Sequence, residues 1–284
     1  MLSAPTSPLP ARAATIYVGA IALIERADTV YPLYTGIVLT ATGVSRCIEV
    51  EAHTAVTLIP RLGLVGVAIA ADLPVIVQAC SLGSIAAGEN IEVKLFGRGV
   101  AFSSPILPRV LTRIGYEGYV REEITFGVIS RALSDEPGIE TAMASLEGSL
   151  AMLSNTIVPL GSLRDYWIVV TSLEKPLPGA RMLEAIAEAE SAIEDAVLEH
   201  IADPLALVDA VASVVAERLP RALARRMLRL INEAISAGAS TAFIDAYGSR
   251  LVAIVEDEDT AYMVSQQLRR LGYTVEAPVL VPPL

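Results

Sequence analysis

Two halves of unlike periodicity constrain this chain more than any other feature. From Thr15 to Ile59 the text is β-rich (TIYVGAIALIE, TGIVLTA, SRCIEVEAHTAVTLI), with Gly36 and Gly43 marking turns. From Gly179 to Ala237 it becomes amphipathic and helical in three segments: MLEAIAEAESAIEDAVLEHI, PLALVDAVASVVAERL and PRALARRMLRLINEAI. Pro204 and Pro220 open the second and third segments, and Gly238 follows the last. A hairpin (ASTAFIDA, YGSR, LVAIVED), a helix (DTAYMVSQQLRRLG) and a strand (YTVEAPVLV) close the chain. Such an order excludes an all-α bundle and an all-β sandwich. It predicts an α+β fold with a seam near residues 158–164.

Between these halves, DLPVIVQACSL (Asp72–Leu82) reads as a helix with Asp72 as N-cap and Pro74 in its first turn. Asn90–Phe96 reads as a strand. Val120–Leu133 and Gly138–Ser145 read as helices separated by the breaker SDEPG. GSLAMLSN and the nearly continuous apolar run RDYWIVVTSL read as strands. Residues 1–13 form a Pro/Ser/Ala tail expected to be poorly ordered.

Composition narrows the function classes. The 284 residues are 53% hydrophobic and 19% charged, enough apolar material for a substantial core. A net charge of −11 and a pI near 4.7 argue against nucleic acid or an anionic membrane as the main partner. No apolar run reaches membrane-span length and no signal peptide precedes Thr15, so a cytoplasmic location is expected. Only Lys94 and Lys175 are lysines among the 21 basic residues, which leaves arginine for any phosphate work. The arginine bias and the Ile/Val/Ala-rich text suit a GC-rich genome and a thermophile. Cys47 and Cys80 show no metal spacing and are expected as small buried residues. His53 and His200 have no partner motif.

Three stretches could carry chemistry. In FGRGVAFSSP, Gly97 and Gly99 let backbone approach an anion, while a following helix offers unpaired amides and a positive dipole end. Ser103 and Ser104 could donate hydroxyls or hold magnesium, and Arg98 could offset phosphate charge. The Gly-Lys-Ser/Thr of an ordinary phosphate loop is missing, and Phe102 stands where a dinucleotide fingerprint needs glycine. From the residues alone, a capped helix after a turn remains the other reading. In DEPGIETAMASLEGSLAM, the acids Asp135, Glu136 and Glu140 suit a magnesium or general-base position, or equally a solvated helix start. In DAYGSR, the residues Asp245, Tyr247, Gly248, Ser249 and Arg250 form either a ligand contact or a simple hairpin turn.

Taken in order, these pieces resemble the GHMP small-molecule kinase superfamily. FGRGVAFSSPIL is similar to its P-x-x-x-G-L-x-S-S-x-A loop, with Gly99, Val100, Ser103 and Ser104 in matching places, Phe102 in place of a serine and Pro105 in place of the small residue. GIETAMASLEGSL is similar to its G-x-x-D-x-A-x-S-x-x-G-G segment, with Glu140 or Thr141 where an acid is expected. The tail from GASTAFIDAYGSR onward resembles the closing hairpin, helix and strand. Archaeal pantoate kinases are nearest, through VGAIAL and TGIVLTATGVSRCIEVEA with Gly36, Leu39, Gly43 and Val44 in step. Archaeal shikimate kinases follow, through ETAMASLEGSLAM.

The resemblance implies a two-domain GHMP-kinase-like fold: a ribosomal-protein-like β/α domain over residues 14–160 and a ferredoxin-like domain with a helix cluster over 161–284. It implies ATP and Mg2+ as cofactors, and a small hydroxylated carboxylate, pantoate first, as substrate, with a homodimer possible. Gly97, Gly99, Ser103, Ser104, Gly248 and Ser249 would hold the nucleotide. Ser104 and Glu140 would share magnesium, Glu140 (or Asp135) would position or deprotonate the substrate hydroxyl, and Arg98 would stabilise transferred charge. The alternative is a GHMP-like protein without catalysis, in which Phe102 intrudes on the nucleotide loop.

Overall fold

A computed structural model describes residues 20–26, 29–40, 43–82, 90–121, 138–154 and 156–282. The expected tail over 1–13, most of the Val120–Leu133 helix, and Asp135 and Glu136 lie outside them. The first half forms a seven-stranded antiparallel sheet from β1 (Ala20–Arg26), β2 (Thr29–Thr40), β3 (Gly43–Ile59), β4 (Val65–Leu82), β5 (Asn90–Phe96), β6 (Leu150–Leu153) and β7 (Thr156–Pro159). Strand order is β1-β2-β3-β4-β6-β7, and β5 pairs with the far end of β4. Helices α1 (Gly99–Phe102), α2 (Ile106–Arg121) and α3 (Ile139–Glu147) belong to this half.

Asp72–Leu82 is therefore the second half of β4 and not the expected helix. Burial decides it: Ala71, Leu73, Val75, Val77, Ala79 and Ser81 are buried while the residues between them are less so, the period-two pattern of a strand. Asp72 and Pro74, read as helix-start signals, instead mark a bulge. The ladder skips from His53 opposite Pro74 to Thr54 opposite Ala71. Proline suits a place where no ladder donor is needed.

The same ladder sets Cys47 opposite Cys80, and the two form a disulfide with an S–S distance of 2.04 Å. The expectation of two small buried residues holds for Cys47, while Cys80 is half-buried and the bond between them was not expected. Residues 33 apart in sequence meet because the long β3–β4 hairpin aligns them.

After a 3-10 turn (Gly161–Asp165), the second half forms a five-stranded antiparallel sheet from β8 (Trp167–Ser172), β9 (Thr241–Ile244), β10 (Arg250–Val255), β11 (Thr274–Val275) and β12 (Val279–Leu280), in the order β11-β8-β10-β9 with β12 also on β8. The expected last strand is split, since β11 and β12 meet opposite ends of β8 on either side of residues 276–278. Four helices precede the hairpin: α4 (Gly179–Glu188), α5 (Glu190–His200), α6 (Pro204–Arg218) and α7 (Arg221–Ser236). The first predicted helical segment is thus two helices, broken at Ala189, whose φ of −101° and ψ of 5° leave the helical region. Asp203 caps α6 by accepting from the Ala206 amide at 3.2 Å, with Pro204 at its first position. Helix α8 (Glu258–Arg270) follows the hairpin, capped by Asp257.

Helices α2 and α3 cover one face of the first sheet, where Leu107, Leu111 and Ile139 pack on Val50, Val75 and Val77. On the other face, Val56, Val67 and Ile69 join a core shared with β8, β9, β10 and the later helices. The centre of β3 and β4 is therefore buried on both sides. Among the described residues, no helix is long and apolar enough to cross a membrane.

Candidate active site

Strand β4 outruns its neighbours, and the consequence is a gap. On one edge, Val65–Ala68 pair with β6 and Ile76–Leu82 pair with β5, leaving residues 69–75 without a strand there among the described residues. Ser149 serves part of that edge, its hydroxyl accepting the Ala70 amide at 2.9 Å. The chain leaving β5 turns into the rest. Gly97 has φ +102°, and a Cβ there would lie 2.3 Å from the Pro74 carbonyl. A Cβ on Gly99 would lie 2.3 Å from Thr54 Oγ1 and 2.5 Å from the Leu73 carbonyl. Both glycines are required by close approach to the bulge in β4.

The loop has two sides. Gly97, Arg98 and Ala101 are exposed, whereas Ser103 and Ser104 are buried. The Ser103 hydroxyl donates to the Gly99 carbonyl at 2.8 Å. The Ser104 amide donates to the Ala55 carbonyl at 3.0 Å, so the segment docks on β3. Ser104 Oγ accepts from the Thr57 amide at 2.8 Å and donates to Asp245 Oδ2 at 3.3 Å. Phe102 packs against the core between the two sheets. Arg98 reaches out of the loop to form an ion pair with Glu276, in the connection between β11 and β12.

Glu140 sits in the first turn of α3, behind Gly138 at φ +97°. A Cβ on Gly138 would meet Ile106 Cγ1 at 2.5 Å, so glycine lets α3 start against α2. The Glu140 carboxyl is fully buried. Its Oε1 accepts from Thr141 Oγ1 at 2.8 Å, and its Oε2 from the Arg61 amide at 3.2 Å. Thr141 Oγ1 also lies 2.5 Å from Thr57 Oγ1; because Thr141 donates to Glu140, Thr57 donates to Thr141. Burial raises the Glu140 pKa, and these donors lower it only in part.

Asp245 is the second fully buried carboxyl, at the end of β9. Oδ1 accepts from the amides of Ser249 and Arg250 at 2.6 and 2.9 Å, and Oδ2 from the Ser249 hydroxyl at 3.0 Å as well as from Ser104. Burial again raises its pKa against those hydrogen bonds and the Arg250 charge. Arg250 Nη2 donates to the Ala101 carbonyl at 2.7 Å, and the Ala246 amide to the Thr57 carbonyl at 2.9 Å. Gly248 has φ +70°, and a Cβ there would lie 2.5 Å from the Leu177 carbonyl. The Tyr247 phenol is held protonated, first by burial and then by the nearby charges of Glu140 and Asp245.

The structure thus gathers Ser104, Glu140, Asp245 and Ser249 around Thr57. Among the described residues, Ser104 and Glu140 are linked through Thr57 and Thr141. Gly97 and Arg98 lie on the loop's outer side, and Gly248 and Ser249 belong to the hairpin turn that Asp245 organises. Sequence reasoning overlooked Thr57. The available signal was two hydroxyls, Thr54 and Thr57, inside the otherwise apolar buried run TAVTLI that ends β3.

No family model matches the chain, and no curated protein matches it. Solved structures do. A phosphotransferase related to the CoA biosynthesis pathway superposes with a TM-score of 0.61 at 14% identity, covering 84% of this chain and 97% of its own. The mevalonate kinase of Methanococcus jannaschii gives 0.54 at 10% identity, covering 82% and 98%. The homoserine kinase of Cytophaga hutchinsonii gives 0.52 at 11%, covering 83% and 95%. The chain has the GHMP-kinase fold. Fold alone does not assign chemistry, so the cofactors that the fold suggests are tested against the residues present.

Magnesium takes oxygen ligands and uses one or two carboxylates beside phosphate and water. Glu140 supplies a carboxylate with lone pairs to spare, and Ser104 Oγ keeps one lone pair after Thr57 and Asp245 are served. This donor set fits in kind. For a nucleotide, the exposed Gly97–Arg98 side presents glycine backbone and a guanidinium, which fit a phosphate, while the Ser103 and Ser104 amides are already bonded to Gly99 and Ala55.

Proposed function

We propose that this chain is an ATP- and magnesium-dependent kinase of a small hydroxylated carboxylate, pantoate first and shikimate second. One observation carries the reading: a fully buried carboxyl, Glu140, oriented by Thr141 and the Arg61 amide and kept above the usual carboxylate range by burial. A carboxyl whose pKa burial raises and whose two oxygens are both held by donors suits a general base for a substrate hydroxyl. Arg98, exposed on the loop beside Gly97, would exchange its ion pair with Glu276 for the growing charge on a phosphoryl group. Ser104 and Glu140 would hold magnesium, and Ser249 and Gly248 would close the nucleotide side. Bound ATP supplies the phosphoryl group. The residues supply placement, a proton acceptor at Glu140 and charge neutralisation, without a covalent intermediate. The structural likeness to a phosphotransferase related to CoA biosynthesis supports pantoate over shikimate.

A second reading, a GHMP-fold protein without catalysis, is favoured by the inward commitment of Ser103, Ser104 and Glu140 and by Phe102 packing on the core. One experiment separates the two. Thermal denaturation with millimolar Mg-ATP should raise the melting temperature, since a ligand that binds only the folded state stabilises it. ADP release should then appear with pantoate, in a panel with shikimate, homoserine and mevalonate, and vanish in Glu140→Gln. A melting temperature indifferent to Mg-ATP would establish the second reading.

A further inference from the structure

A cleft lined by none of the candidate active-site residues lies between α7 and α8, with a volume of about 500 Å3. That is within the size range of small-molecule sites. Its α7 wall is a ladder of donors: Arg225, then Arg229 one turn on, then Asn232, with Gln267 opposite on α8. Apolar surface flanks it, because Leu228 and Leu271 leave 41% and 47% of their surface exposed.

Charge makes the cleft unusual for this chain. The whole protein carries −11, yet the wall of the cleft offers two guanidinium groups against one carboxylate. That carboxylate, Glu233, is already served: the Tyr273 hydroxyl donates to it at 2.7 Å, and Arg229 Nε lies 3.6 Å away. Arg225 donates through Nε to the Arg221 carbonyl, and among the described residues it has no carboxylate partner. Guanidinium recognises carboxylate and phosphate through paired donors, and the neighbouring leucines favour an apolar body on the same molecule.

We infer that the α7–α8 cleft binds a small amphipathic anion, a carboxylate or phosphate ester carrying a short apolar chain, with Arg225 and Arg229 on its head group and Leu228 and Leu271 on its chain. This site is independent of whether the chain transfers phosphate. Asn232 and Gln267 supply amides to an ester or hydroxyl oxygen between head and chain.

Isothermal titration with hexyl phosphate, hexanoate, hexanol and inorganic phosphate tests it. Hexyl phosphate or hexanoate should bind at least tenfold more tightly than both hexanol and inorganic phosphate, and the stronger of the two names the head group. The surface variant R225Q/R229Q should lose at least tenfold in affinity for that probe while keeping the wild-type melting temperature. L228S/L271S should weaken it without changing the affinity for inorganic phosphate. Hexanol binding as tightly as the anions, no binding of either anion, or an affinity unchanged in R225Q/R229Q would each overturn the proposal. Retention in R225Q/R229Q would also place the bound probe elsewhere, including at the loop after β5.

Discussion

Reducing the Cys47–Cys80 disulfide tests the β3–β4 register directly. The bond closes a loop with a sequence separation of 33. Cross-linking such a loop removes roughly 12.5 cal/mol/K of entropy from the unfolded chain, or about 3.7 kcal/mol at room temperature, from the loop-closure relation. With a guanidinium m-value of roughly 6 kcal/mol/M for a chain this size, the unfolding midpoint should fall by about 0.6 M on reduction. The assay is equilibrium unfolding of the wild type with and without a phosphine reductant, with Cys47→Ala/Cys80→Ala as a third arm. Comparing one sequence in two redox states isolates the cross-link from side-chain packing. Thiol titration of the unreduced, unfolded chain should find no free thiol. Two titratable thiols there that persist after mild oxidation of the folded chain would refute the register. A midpoint difference equivalent to less than about 1 kcal/mol would refute the loop-entropy reasoning.

Glu140→Gln should remove any phosphoryl transfer and alter the pH dependence of stability. Because the folded-state pKa of Glu140 lies above its ordinary value of 4.5, its contribution to stability is full below that value and is lost as pH rises through the folded pKa. Melting curves from pH 4 upward should therefore show the variant gaining on the wild type as pH rises; parallel curves would contradict a raised pKa. Asp245→Ala should cost about 3 kcal/mol or more by denaturant unfolding, since it strands the Ser249 and Arg250 amides and the Ser104 hydroxyl. Asp245→Asn should cost clearly less, because its carbonyl still receives both amides and its amide can donate to both hydroxyls. Equal losses in the two would show that Asp245 does not organise the turn through those bonds.

Local patterning made much of the architecture legible. The apolar stripe of Met227, Leu230, Ile231 and Ala234 and the start at Pro204 are intrinsic helix signals, and the DAYGSR turn lies between two apolar strands whatever surrounds it. These depend on neighbours within a turn or two of chain. What escaped depends on partners far away. Asp72 and Pro74 carry the same local chemistry in a helix start and in a bulge, and only pairing with His53 and Thr54 selects the bulge. Cys47 and Cys80 are unremarkable until a ladder sets them opposite each other. At the candidate site, Ser104 and Asp245 are 141 residues apart, and Thr57 meets Thr141 across 84. Side-chain periodicity reports which face of an element is buried. It does not report which element covers that face, and that choice, made by the packing of two sheets around β3 and β4, is what gathers the buried carboxyls and hydroxyls.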